Sequence, residues 1–430
     1  MKNGSTRSLA AALCLALSFA GGAMAQALNP LAILNEGSDQ KEALKVNEAI
    51  FEAIGFGNTF MVTTSEGNVI IDTSNVIAAP RHVKLLKAVS DAPIKYIILT
   101  HGHLDHTGGI RLWKNAGTQV IAQRNHVEFV NYQKRLEGFF AIRNAAQFAL
   151  RQPAPIPWAG NHAATIEPTI LFDDKYEFTL GGVKFEIYRT PGETPDHLTV
   201  WIPKYKAAFT GDNYYESFPN MYTLRGTEPR WAFDYIDSLD KVLSFKPDVV
   251  LPSHGRPVVG GAEVTRRLTQ YRGAVQYVHD EVVKGMDAGK DVYTLMAEIH
   301  LPPALDVGES YGKLTWSIRG IYEGYAGWFD MNPATMYETP PSVAYADVVR
   351  LAGGPESVAK LAVDRIGEGK PAEALRLTDM SLAADPSNRA ALEARLKALE
   401  MLRENCHNSN ERGWLEYGIG LAKSKLPAAH

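Results

Sequence analysis

The chain has 430 residues, 45% of them hydrophobic and 21% charged, with a formal charge of −4. That size and composition fit a globular protein of two or three domains with substantial cores. The mildly acidic balance argues against a nucleic-acid partner, and none is expected.

Residues 1–25 read as a cleaved secretory signal. Lys2 and Arg7 precede an apolar stretch from Leu9 to Ala20, which ends at the small-residue tripeptide Ala23-Met24-Ala25. The stretch is too short for a permanent transmembrane helix. A periplasmic or secreted protein is therefore expected, with no integral membrane segment. Once Cys14 leaves with the signal, only Cys406 remains, so no intrachain disulfide can form and the core must hold the fold.

In chain order, GNTFMVTTSEGNVIIDT (Gly57 to Thr73) predicts two strands turning at Glu66-Gly67-Asn68. A helix from Pro80 to about Val89 follows, then a strand from Tyr96 to Thr100, a histidine-rich loop, a strand from Gln119 to Ala122 and a helix from His126. Further strands are expected at Val183 to Arg189, Leu198 to Ile202, Ala207 to Thr210 and Val249 to Pro252. This alternation predicts two sheets flanked by helices, an α/β layered sandwich. After about Gly261, Leu268, Tyr271, Val275, Val278, Val282 and Met286 recur at helical spacing and no strand is expected. Near the end, two helices joined through Asp385-Pro386-Ser387-Asn388 are predicted, with Pro386 opening the second. The boundary between an α/β domain (26–262) and a helical domain (263–430) falls here.

The loop THGHLDHTGG (Thr100 to Gly109) carries three of the chain's 12 histidines. His101, His103, Asp105 and His106 offer imidazole and carboxylate donors just beyond a buried strand, and Gly102, Gly108 and Gly109 are expected to let the backbone turn sharply. One divalent ion needs three or four such groups, and two ions need six or seven. The remaining candidates share the context of a strand end and a turn: His197 in TPGETPDHL, Asp212 in TGDN and His254 in LPSHG.

From Phe56 to Pro257 these residues resemble the metallo-β-lactamase fold superfamily, whose mark is HxHxDH followed by a histidine, an aspartate and a final histidine. The resemblance implies an αββα sandwich with two metal ions, zinc (Zn2+) by default. His101, His103 and His197 would hold one ion, Asp105, His106 and His254 the other, and Asp212 would bridge. Asp72, in VIIDT, matches an acid that orients the ligands. Downstream, NMYTLRG (Asn220 to Gly226), LPPAL (Leu301 to Leu305), IRGIYEGYAGWFDMNPATMY (Ile318 to Tyr337) and LAGGPESV (Leu351 to Val358) look like the secreted alkyl sulfatase branch, in which a helical dimerisation domain follows the metal domain. That resemblance implies a homodimer joined through the C-terminal helices and a small anionic substrate with an apolar group. It also implies sulfate oxygens bound by Asn220 and Arg225, and Asp105 and Asp212 acting in catalysis.

The sequence departs from the branch at three points. Typical members carry glutamates where His197 and Asp212 stand, a further sterol-carrier-like domain, and a histidine where this chain has DVGES. Hydrolysis of an alkyl sulfate ester through a hydroxide is the expected function. Hydrolysis of another anionic ester, lactone or β-lactam is the alternative, and a metal-bearing scaffold with vestigial activity is a third. Tyr214, Tyr215, Phe218 and Tyr222 are expected either to wall an apolar pocket or to fill core.

Overall fold

A computed structural model describes residues 35–148 and 166–426; the expected signal peptide lies outside them. Two sheets form the centre. The first has seven strands in sequential order: β1 (Leu44–Lys45), β2 (Ile50–Ala53), β3 (Thr59–Thr64), β4 (Gly67–Ile71), β5 (Ile94–Ile98), β6 (Gln119–Gln123) and β7 (Ile170–Phe172). The second has six: β8 (Lys175–Leu180), β9 (Val183–Arg189), β10 (Leu198–Ile202), β11 (Ala207–Gly211), β12 (Val249–Pro252) and β13 (Val258–Val259). β3 and β4 form the expected hairpin, but it turns at Ser65-Glu66, with Gly67 pairing Thr64 and Asn68 already inside β4, whereas β4 to β7 run parallel.

The alternation of each strand decides the layering. Phe60, Val62, Val69, Ile71 and Ile98 of the first sheet meet Phe185, Ile187, Val200, Phe209 and Leu251 of the second in one core. The opposite face of the first sheet carries Met61, Ile70 and Ile97 and takes Leu85, Leu86 and Trp113 from its covering helices. The outer face of the second sheet is covered by the helices Ala232–Ser244 and Gly261–Asp287. Helices therefore lie on both sides of two packed sheets, the expected α/β sandwich.

Past Val259 the described residues contain helices and no further strand. The helix Gly261–Asp287 spans the expected boundary at 262. Its Val264, Leu268 and Tyr271 pack on the second sheet, while Ala274, Val275, Val278 and Val282 join Leu314, Ile318 and Ile321 in a separate helical core. The two helices expected near the end run over Pro371–Ala384 and Arg389–Glu404, and a further helix, Ser409–Lys425, follows them. Pro386 does not open the second: Asn388 caps it, its side chain accepting from Ala391 N at 3.0 Å, and the proline stays in the connecting turn. No helix among the described residues is long and apolar enough to cross a membrane.

Candidate metal centre

The candidate donors come from loops that leave the same edge of the two sheets. His101 to His106 follow β5, His197 precedes β10, Asp212 follows β11 and His254 follows β12. Strand ends are held by the ladder, so side chains just beyond them converge with little entropy left to lose. Asp212 is the hub. Its Oδ2 lies 3.0 Å from His254 Nε2 and 3.8 Å from His101 Nε2, and its Oδ1 lies 3.4 Å from His106 Nε2. Asp105 Oδ2 stands 3.4 Å from His106 Nε2 and 3.5 Å from His254 Nε2, and His101 Nε2 is 2.9 Å from His103 Nδ1.

Three mutually close donor sets emerge among the described residues: His101, His106 and Asp212; Asp105, His106 and His254; and His103, Glu193 and Asp212. His197 is in none of them. It stacks on His101 with ring centroids 5.3 Å apart, and its Nε2 accepts a hydrogen bond from Asp212 N at 3.0 Å. Burial lowers its pKa to about 4, so the ring is neutral and keeps a lone pair on that nitrogen.

Glu193, absent from the sequence reading, lies four residues earlier in the same TPGETPDHL stretch. Its Oε1 is 3.8 Å from His103 Nδ1, while its Oε2 pairs with Arg230 and accepts from Tyr235 Oη at 2.9 Å. Burial raises its pKa and the Arg230 guanidinium opposes the rise. Arg230 and Tyr235 hold Oε2, which leaves Oε1 turned toward His103 and the cavity, so Glu193 stands with His103 and Asp212 as a candidate donor in place of His197.

Asp72 sits beneath the cluster at φ 55°, a left-handed conformation that a non-glycine residue adopts at a cost. Its oxygens accept from Thr100 N at 2.8 Å, Thr100 Oγ1 at 2.7 Å and Ser253 Oγ at 2.8 Å, and lie 3.0 Å from His106 Nδ1. It thereby ties the His101 loop to the His254 loop and fixes which nitrogen of His106 faces the site. The loop glycines work differently from expectation. Gly108 and Gly109 have φ of −63° and −88°, ordinary values; what Gly109 lacks is room, since a Cβ there would strike Thr73 O and the Ala79 side chain.

Burial disfavours charge on His101 and His103 and holds both well below the usual histidine range. On His106 burial is outweighed by Asp212, Asp105 and Asp72, and its pKa rises well above the ordinary value. His106 Nε2 and Asp212 Oδ1 are both buried without a hydrogen-bond partner among the described residues. Buried polar atoms without partners are rare, and here a nitrogen and a carboxylate oxygen face each other amid further imidazoles. This donor set fits divalent ions of the zinc type.

Beside the cluster is a cavity of about 80 Å³ whose walls include Phe56, Phe148, Asp105, Glu193, Arg225 and Tyr311. Arg225 Nη2 is 3.2 Å from His103 Nε2, and burial, then the Arg230 charge, lowers the Arg225 pKa. Asn220 is fixed through its backbone, N donating to Tyr215 Oη at 2.6 Å and O accepting from Arg230 Nη1 at 2.6 Å; its side chain is not part of the cavity wall. Phe218 and Tyr214 fill core, while Tyr215 lines an adjoining cavity with His254 and Tyr311. Tyr311 and Arg230 carry no motif of their own.

Residues 54–254 match the family model described as the Metallo-beta-lactamase superfamily, and residues 292–420 match that described as Alkyl sulfatase dimerisation. A linear primary-alkylsulfatase of Pseudomonas sp. is 30% identical over 378 residues, covering 82% of this chain and 72% of the relative. The alkyl/aryl-sulfatase BDS1 of Saccharomyces cerevisiae is 29% identical, over 89% of this chain and 64% of the yeast protein. The solved structure of the stereoselective inverting sec-alkylsulfatase Pisa1 from Pseudomonas sp. superposes with a TM-score of 0.81 at 26% identity, over 90% of this chain and 66% of that one. This chain thus spans less than two thirds of the latter two proteins. With both family segments in order and the match extending along most of its length, the chain belongs to the alkylsulfatase family of the metallo-beta-lactamase superfamily.

Proposed function

We propose that this chain is an exported, dinuclear metal-dependent hydrolase that cleaves alkyl or similarly apolar sulfate esters to an alcohol and sulfate, and that it works as a homodimer. One observation carries the reading. A half-buried guanidinium, Arg225, stands 3.2 Å from His103 in a cavity whose other walls include Asp105, Asp212 and the phenylalanines Phe56 and Phe148. A cation beside a chelating cluster suits an anionic ester, and the apolar wall suits its organic group.

In this reading His101, His103 and Glu193 would hold one ion, Asp105, His106 and His254 the other, and Asp212 would be shared; His197, expected among the ligands, stands outside these sets with its Nε2 taken by Asp212 N. When bound, such ions polarise the ester and supply hydroxide near neutral pH. Asp105 and Asp212 accept hydrogen bonds from the attacking water and orient it. Arg225 donates two parallel N–H bonds to sulfate oxygens and stabilises charge that grows in the transition state, whereas Asn220, expected to share that anion, lies outside the cavity wall and is given no part in binding it. Asp72 keeps His106 and the Ser253 loop in register. Trp328, Met331 and Leu351, which are 75%, 86% and 84% exposed, supply apolar surface for a second copy to cover.

The test assays the purified mature protein for sulfate release from dodecyl sulfate and phenyl sulfate, beside a lactone and a chromogenic cephalosporin. Arg225→Ala at full metal content is expected to lower sulfate release by about 10²- to 10³-fold. Cephalosporin or lactone turnover without sulfate release overturns the reading. It would favour the second one, which Asp212 supports by standing where the branch carries a glutamate.

A further inference from the structure

Tyr311 walls the cavity beside Arg225 and Asp105, yet its backbone is held from behind by the last helix of the chain, Ser409–Lys425. Asn408, 2% exposed, caps that helix by accepting from Glu411 N at 3.0 Å. Capping occupies only its oxygen. Its amide nitrogen faces three carbonyls of a single loop: Glu309 O at 2.8 Å, Tyr311 O at 2.9 Å and Gly312 O at 3.1 Å. Asn410, also 2% exposed, donates to Tyr311 O at 3.0 Å, and Ser409 N donates to Ser310 O at 2.9 Å.

The front of the loop is equally constrained. Tyr311 N donates to Ser217 Oγ at 3.0 Å, and a Cβ on Gly312 would strike the carbonyls of Phe218 and Pro219. Tyr311 is thus pinned from both sides, with its ring 5.8 Å from that of Tyr215.

The same helix reaches Arg225. Gly413 packs on the backbone of Gln147, whose Oε1 accepts from Arg225 N at 3.1 Å. Trp414 lies 5.6 Å from the Arg143 guanidinium, which donates to Arg225 O at 2.6 Å and Leu224 O at 2.5 Å. Two buried asparagine amides directed at one loop of the pocket exceed what helix capping needs.

We infer that the first turn of the C-terminal helix is a positioning device for the substrate cavity, with Asn408 and Asn410 as positioning residues that act through Tyr311. The part of this inference that concerns substrate rests on the ester-hydrolase reading; the clamp itself does not. The region matched to dimerisation therefore shapes the pocket within its own chain.

The test combines Asn408→Ser, which keeps a capping oxygen, with Asn410→Ala, which has no capping role. The double variant is expected to raise KM for whichever ester the wild type hydrolyses by about tenfold, with kcat nearly unchanged and metal content and oligomeric mass unaltered. In a Tyr311→Ala background the asparagine changes should add nothing further. Asn388→Ser, which alters the cap of a helix remote from the pocket, serves as the control and should leave KM alone. Hydrogen exchange gives a readout that needs no substrate: amides of 308–312 should exchange about tenfold faster in the double variant while those of 101–106 do not change. Unchanged exchange at 308–312, unchanged KM, or asparagine and tyrosine effects that multiply, each overturns the inference. A wild type that hydrolyses no ester but shows the exchange change counts against the ester-hydrolase reading and leaves the clamp standing.

Discussion

Asp72 is a carboxylate in a strained backbone conformation that gathers Thr100, Ser253 and His106. Asp72→Asn keeps the shape but replaces one acceptor with a donor, and it is expected to weaken metal affinity by about 10- to 100-fold, read by competition with a chromogenic chelator. Glu52 poses a different problem. It is fully buried, its Oε1 accepts from Asn58 Nδ2 at 2.8 Å, and burial raises its pKa to about 8 against the opposing charge of Arg256. A carboxyl whose folded pKa is raised contributes stability in full below the unfolded value of 4.5, and loses it as pH rises from there through about 8. Thermal unfolding should therefore show stability falling between pH 5 and pH 8, and Glu52→Gln should flatten that slope; a shift of this size corresponds to something on the order of 5 kcal/mol. The donors His101 to His106 were legible because so many chelating side chains crowd one short loop. Glu193, Arg230 and Tyr311 were not, because a lone glutamate, arginine or tyrosine acquires meaning only when folding sets it against His103 or Asp105.

At the scale of elements, the long strands announced themselves and the short or charged ones did not. Ile50–Ala53 contains the buried Glu52, and Lys175–Leu180 alternates buried and exposed residues in a segment rich in charge, so neither read as a strand from composition. The Pro386 expectation failed for a physical reason: Asn388 can accept from a backbone N–H and close the first turn, which proline cannot do. The sandwich depends on large side chains meeting between the sheets. Phe60 and Phe209, one from each sheet and both fully buried, pack edge to face with centroids 5.2 Å apart. Phe209→Ala should cost about 3 to 5 kcal/mol in a denaturant titration, with the slope unchanged.

For the whole molecule, the cluster around Asp212 concentrates carboxylates whose charge bound cations would offset and imidazoles that would coordinate them. Chelation is expected to lower the unfolding temperature, and stoichiometric zinc to restore it, followed by calorimetry. The proposed homodimer and export are checked directly: light scattering should return twice the chain mass, and N-terminal sequencing of protein recovered outside the cytoplasm should begin at Gln26. The helix Gly261–Asp287 carries one further consequence. Its first half seals the second sheet and its second half anchors the helical core. A scissor cut before it strips one partner of its cover, and a cut after it strips the other. Fragments that follow the family boundaries should therefore come out of the cell insoluble, and a chimera with a relative must carry this helix together with the surfaces on both of its flanks.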